Sequence, residues 1–277
     1  MPTSAPPSWQ PNFAESGPAA AAFAGIVPWV ARLGTPPSWP GLEHLSRLAA
    51  ESDLRNADGL PIRFVEQTRR CGQMDYESGI LASGRVPSRT ENWHDLFNAL
   101  AWLAFPRTKA ALNRIQCTVL PASDAGRRPP LADAATLFDE SGLLLVGPDD
   151  GLFDLLRGRR WHEALWARRT HWRQVRVYAV GHALLEKLLL PYPAITAKCL
   201  ALALPGETCR TLPGDDSMPA WLDRRVADHW TEGRIARPAD LFPLPVLGIP
   251  GWWPENEEAA FYTRMDIFRP HRPLIPD

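Results

Sequence analysis

Lysine is nearly absent from this chain. Of 30 basic residues only Lys109, Lys187 and Lys198 are lysines, leaving 27 arginines. With abundant Ala and Pro, that skew matches the codon bias of a GC-rich genome. In such a background a retained ammonium is informative, because it differs from a guanidinium in size, geometry and titration. Cysteine is sparse too. Cys71, Cys117, Cys199 and Cys209 form no CxxC pair and no zinc-finger spacing, which fits packing roles in a reducing compartment. A basic n-region is missing, and the apolar stretch Ala19 to Leu33 is interrupted by Pro28. No run of about 18 apolar residues would cross a bilayer, so a cytoplasmic protein without a membrane segment is expected. The net charge of −1 leaves no global electrostatic footprint, and nucleic-acid binding is not indicated. HExxH, Walker, GxSxG and Rossmann fingerprints are all lacking, and no internal repeat is visible. The easily recognised enzyme classes are thereby excluded.

What is there is a chain of 277 residues, 45% hydrophobic, with a mean hydropathy of −0.22, long enough to bury a large core. Its richest stretch runs from Arg89 to Asn113. Asn92 is a good N-cap, and Asp95 in the first turn suits the positive helix end. Trp93, Leu96, Phe97, Leu100, Leu103 and Ala104 recur at helical spacing and predict a buried stripe. At 100° per residue His94, Asp95 and Asn98 share the opposite arc with Trp102 and Phe105. A solvated face carries Glu, Lys and Arg, not His, Asn and large aromatics. Pro106 ends this helix and fits the first position of the next, which places Lys109 and Asn113 one turn apart. The stretch therefore predicts a sharp helix–helix corner with polar side chains on both arms. Capping and buried hydrogen bonding are the alternative role for those side chains.

The remaining pattern predicts a mostly helical α+β fold in one globular domain. Residues 1–18, rich in Pro, Ser and Ala, read as a flexible arm. A helical core domain is expected over 19–204. Within it, Ile62 to Glu66 alternates as a short strand, and Tyr76 to Arg89 reads as an ordered loop. That loop delivers Arg85 and Arg89 ahead of the central helix. Arginine is misplaced at a helix N-terminus, which suggests an anionic ligand there. Apolar runs flanking Asp139-Glu140-Ser141-Gly142 predict a small hairpin over 134–147, with the two acids at its tip. From Gly151 to Leu204 the pattern is again helical. Its tryptophans and arginines favour arginine stems covering an aromatic core over base stacking. His182 and Glu186 lie one turn apart in a largely apolar stretch, where a charged pair needs partners. Gly181 beside them permits close approach of another backbone. Residues 205–277 predict a proline-rich extended tail packed on the core, with a short strand at Phe261 to Phe268.

The motifs NWHDLFNALAWLAFPRTKAALN, TLFDESG, GHALLEKLLLPY and PLPVLGIPGW resemble an uncharacterised bacterial family, a domain of unknown function. The likeness runs from about Phe64 to Arg269. It implies a bacterial protein and supplies no activity, ligand or catalytic residue.

Two functional readings follow from the residues themselves. In the first, the protein is a hydrolase or phosphoester-processing enzyme. His94 or His182 would act as base or as ligand to a divalent metal, with Asp95, Glu186 or Asp139 as carboxylate partner. Asn98 would belong to the catalytic cluster with them, Lys109 and Arg89 would clamp an anion, and Asn113 and Trp102 would line the ligand site. In the second, the same arc captures a small anion or a partner protein without catalysis. Distance discriminates between them. An enzyme requires the arms at Pro106 and the His182–Glu186 pair to converge on one cleft.

Overall fold

The corner at Pro106 organises the structure, a computed structural model that describes residues 8–15, 19–34, 37–69, 72–119, 129–213 and 217–270. In chain order the elements are α1 (Val27–Leu33), α2 (Leu42–Glu51), β1 (Arg63–Glu66), α3 (Gln73–Ser83), β2 (Arg85–Ser88), α4 (Trp93–Ala104) and α5 (Pro106–Val119). They continue with α6 (Pro130–Ser141), β3 (Gly142–Gly147), α7 (Asp150–Arg157), β4 (Arg176–Ala179), α8 (His182–Lys187), β5 (Thr196–Ala203), α9 (Gly206–Arg210), α10 (Ala220–Thr231) and β6 (Phe242–Pro245). Helices dominate and one continuous apolar core runs through them, so this is a mixed α+β fold in a single domain.

The corner forms as its residues dictate. The Asn92 side chain accepts from the Asp95 N–H at 3.1 Å and starts α4, which is buried along almost its whole length. Phe105 leaves helical geometry and Pro106 opens α5. The free N–H groups of Arg107 and Thr108 donate to the Asp223 carboxylate of α10 at 2.8 and 3.0 Å. A side chain 115 residues distant thus serves as the cap for α5.

Beside this helical layer lies a four-stranded sheet in the order β4-β3-β5-β6. The central β3, GLLLVG, is buried throughout, as a near-continuous apolar run covered on both faces should be. It runs antiparallel to β4 and parallel to β5, and β5 runs antiparallel to β6. A separate pair, β1 and β2, is parallel.

Several expectations are corrected here. Residues 134–147 are not a hairpin. Asp139, Glu140 and Ser141 end α6, and β3 follows without a turn, pairing with β4 and β5 instead. The stretch expected as one helix around His182 is a strand, β4, followed by the short α8; the buried β5 also interrupts the helical pattern expected to Leu204. Tyr76 to Ser83 is helix rather than loop, because α3 packs on α5 and Gly84, left-handed at φ 69, supplies its C-cap. In the region read as an extended tail, α10 and β6 are regular, and Phe261 to Thr263 belong to a 3-10 turn rather than a strand. The proline signals there mark element starts, with Pro219 just ahead of α10. Of the expected flexible arm, residues 8–15 pack onto the core: Phe13 and Ala14 are buried and Trp9 stacks on Trp93. Residues 1–7, 16–18 and Cys71 lie outside the described residues.

Candidate functional site

Five helices converge on a cleft of about 490 Å³. Tyr76 and Glu77 come from α3, His94, Asn98 and Trp102 from α4, and Lys109, Asn113 and Gln116 from α5. Asp139 and Glu140 come from the end of α6, and His182 from the start of α8. One close approach brings the last two helices together. The Val180 and Gly181 N–H groups both donate to the Gly142 carbonyl at 3.0 Å. A Cβ on Gly181 would lie 2.6 Å from the Glu140 carbonyl oxygen, so only glycine lets His182 sit against Asp139 and Glu140.

The centre of the cleft is a pair of imidazoles. His94 Nε2 and His182 Nε2 are 3.1 Å apart, with the rings nearly perpendicular. Each ring has a carboxylate behind its other nitrogen. His94 Nδ1 donates to Glu186 Oε2 at 2.9 Å, and His182 Nδ1 faces Asp139 Oδ2 at 3.8 Å. Glu140 Oε1 lies 3.6 Å from His182 Nε2. His94, Glu140 and His182 each offer one donor atom, all within 4.8 Å of one another, and these are the residues among those described that can hold a metal ion. The buried Lys109 ammonium ion-pairs with Asp139 and donates to Asn98 Oδ1 at 2.8 Å, while the Asn98 amide donates to the Tyr76 hydroxyl at 3.0 Å. Asn113 Nδ2 donates to the carbonyl and the carboxylate of Glu77 at 3.0 and 2.7 Å.

The electrostatics divide these groups. The hydrogen bond to Glu186 holds His94 above its ordinary value, against the effect of burial. Burial, helped by the neighbouring cations Lys109 and His94, pushes His182 down to about 3 even with Asp139 beside it. Burial alone would raise Asp139, but the Lys109 ammonium and the histidines keep it below the usual carboxylate range. Burial and the adjacent Asp139 charge raise Glu140. The buried Tyr76 hydroxyl is pushed far up and stays neutral.

The structure brings nearly all the sequence-derived candidates into this cleft. His94, Asn98, Trp102, Lys109, Asn113 and His182 line it, and Glu186 stands directly behind His94. Asp95 and Arg89 also line it but engage each other. Arg89 Nε and Nη2 reach the two Asp95 oxygens at 2.9 Å, and the Arg89 N–H donates to the same carboxylate. Asp95 is therefore occupied rather than poised beside His94. Arg85 is exposed and does not line the cleft. The sequence pattern places Glu140 at a hairpin tip and assigns no role to Tyr76, Glu77 or Gln116. The spacing Lys109, Asn113, Gln116 on one face of α5 was the available signal for Gln116, which is almost fully buried. Among the described residues no helix is long and apolar enough to cross a membrane.

No curated protein and no solved structure matches this chain. A family model described as a protein of unknown function (DUF3025) matches residues 62–272, and the chain belongs to that family.

Proposed function

We propose that the cleft is the active site of a hydrolase. The observation that carries this reading is the contact between two imidazoles whose protonation is driven in opposite directions by their surroundings. Paired titratable groups with separated pKa values are how a site keeps one acid and one base at the same pH. A charged His94 donates its Nε2–H to the neutral His182, whose own proton sits on Nδ1 toward Asp139. When water and substrate enter between the rings in place of that contact, the freed His182 Nε2 lone pair accepts a proton from the attacking water and the His94 Nε2–H passes to the leaving group. Glu186 and Asp139 hold the rings in register. Lys109, fixed by Asn98 and Asp139, stands beside the Trp102 ring, its Nζ 5.6 Å from the centroid, where it orients a polar substrate.

Capture of a small anion without catalysis is the less favoured reading. Both cations that line the cleft are already committed, Lys109 to Asp139 and Arg89 to Asp95. An anion would have to displace a carboxylate from each.

The test is turnover of chromogenic carboxylic esters, phosphomonoesters and phosphodiesters by the purified full-length chain. His94→Gln and His182→Gln are each expected to lower kcat about 10²–10⁴-fold, the usual size of a general acid–base contribution. Equal rates for wild type and both variants across the panel would contradict the proposal.

A further inference from the structure

We propose that His94, His182 and Glu140 form a binding site for one divalent transition-metal ion of the zinc class. Four arguments on geometry and charge lead there.

The first is the aim of the lone pairs. A carboxylate accepts and does not donate, so Glu186 fixes the Nδ1 proton on His94, and Asp139 draws the Nδ1 proton on His182. In those tautomers both Nε2 lone pairs point at the same place from 3.1 Å apart. Such a contact holds only with a cation between the nitrogens, either the shared proton of a charged His94 or a metal ion that takes that proton's place. The second is spacing. At metal–nitrogen distances of roughly 2.0–2.1 Å, two nitrogens on one ion are roughly 2.9 to 3.4 Å apart as the angle at the metal opens from octahedral to tetrahedral. The observed separation falls in that interval, and Glu140 Oε1 is 3.6 Å from the second nitrogen.

The third argument is the support behind the ligands. Metal-binding histidines hand their other N–H to a carboxylate, which fixes ring orientation and raises basicity. Here His94 hands its Nδ1–H to Glu186 at 2.9 Å, and Asp139 stands 3.8 Å behind His182 Nδ1. The fourth is net charge. Glu77, Asp95, Asp139 and Glu140 line the cleft against only Arg89 and Lys109, so once His94 gives up its extra proton the lining is short of two positive charges. One divalent ion supplies them. Two imidazoles and one carboxylate suit zinc, manganese, iron or cobalt, not magnesium or calcium. The remaining coordination positions open toward the cleft, where a water or a substrate oxygen would sit. A cation there would also let a phosphoester enter a cleft that otherwise repels it, a substrate class that rests on the hydrolase reading above.

The experiment is a cobalt titration of chelator-treated full-length protein, followed by visible absorption, with zinc competition and elemental analysis for stoichiometry. One equivalent of cobalt with ligand-field bands, displaced by zinc and not by magnesium, is expected. His94→Gln and His182→Gln should abolish the bands. Glu140→Gln should weaken binding at least tenfold, and Glu186→Gln, acting through His94, about 10–100-fold. Glu140 is 42% exposed, so its substitution leaves the fold intact and keeps the test meaningful. No stoichiometric cobalt, or undiminished binding by Glu140→Gln and His94→Gln, would overturn the site and leave the imidazoles sharing a proton instead. Metal binding without hydrolysis would uphold the site and defeat the hydrolase reading. Hydrolysis unaffected by chelator in protein that takes up no cobalt would do the reverse.

Discussion

Two buried polar clusters adjoin the corner between α4 and α5, and they are wired differently. At the start of α5, Asp223 receives the Arg107 and Thr108 N–H groups and the Thr108 hydroxyl. Asn56 and Asn256 follow the same rule. Asn56 donates to the Ile80 and Leu81 carbonyls and accepts from the Asp58 and Leu60 N–H groups. Asn256 donates to the Leu247 and Ile249 carbonyls. These side chains are consumed by main chain, the commonest arrangement for buried polar groups, and their role is to hold loops and helix ends. In the cleft the contacts run from side chain to side chain: His94 to Glu186 and to His182, Lys109 to Asp139 and Asn98, Asn98 to Tyr76. The acceptor Asn113 Oδ1 has no hydrogen-bond partner among the described residues, and the protonated His182 Nδ1 has the Asp139 carboxylate only at 3.8 Å. A network closed on main chain stabilises; one closed on itself and open to a cavity holds groups ready for something else.

The contrast can be broken by substitution. Lys109→Met should have the largest effect, because it strands a buried Asp139 charge. Unfolding by urea should show a loss of about 3–5 kcal/mol, with much of it restored in Lys109→Met/Asp139→Leu. Recovery failing in the double variant would mean that packing, not charge, is what Lys109 contributes. Gly181→Ala should cost about 2–4 kcal/mol by forcing α8 off the end of α6. It should also abolish cobalt binding even where the protein remains folded, which separates it from Asp223→Ala. The latter should cost about 2 kcal/mol as a lost buried cap while leaving cobalt affinity unchanged.

Acid titration sharpens the comparison inside the pair. His182 is depressed from 6.5 to about 3 in the fold, so the unfolded chain takes up its proton first as pH falls. Stability from this group is present above its unfolded value and is lost through that window, at up to about 1.4 kcal/mol per pH unit. His94 is raised, so its contribution is present below its unfolded value and fades as pH rises through its folded one. Urea midpoints at pH 5 and pH 8 should therefore move oppositely. His182→Gln gains on wild type at pH 5 relative to pH 8, and His94→Gln loses. Movement in the same direction would contradict the assignment of acid and base.

The central helices were legible in the sequence because three local signals agree there: the Asn92 cap, the apolar stripe and Pro106. The Gly181 approach was legible as well, since a glycine flanked by apolar residues beside a polar pair points to backbone contact. Elsewhere, signals conflicted. Asp139-Glu140-Ser141-Gly142 has turn composition, yet Pro130 at the first helical position and Ala132, Ala135 and Phe138 at three-residue spacing carry α6 through it. Gly142 then starts a strand, and a side chain there would strike Phe138. The apolar run Val175 to Leu189 could not show its own break, because a buried strand and a buried helix are both continuous in hydrophobicity. Helix α3 has almost no amphipathic signature, since its buried face includes Glu77, which bonds Asn113. Convergence of five helices on one cleft is a tertiary fact that no local pattern carries.

The smallest expected effect tests the central claim most directly. In a chelator-treated His94→Gln/His182→Gln double variant at pH 7, the urea-unfolding free energy should stay within about 1 kcal/mol of wild type, because groups held for chemistry contribute little to the fold. A loss of several kcal/mol would show that the imidazole pair is structural, like Asp223.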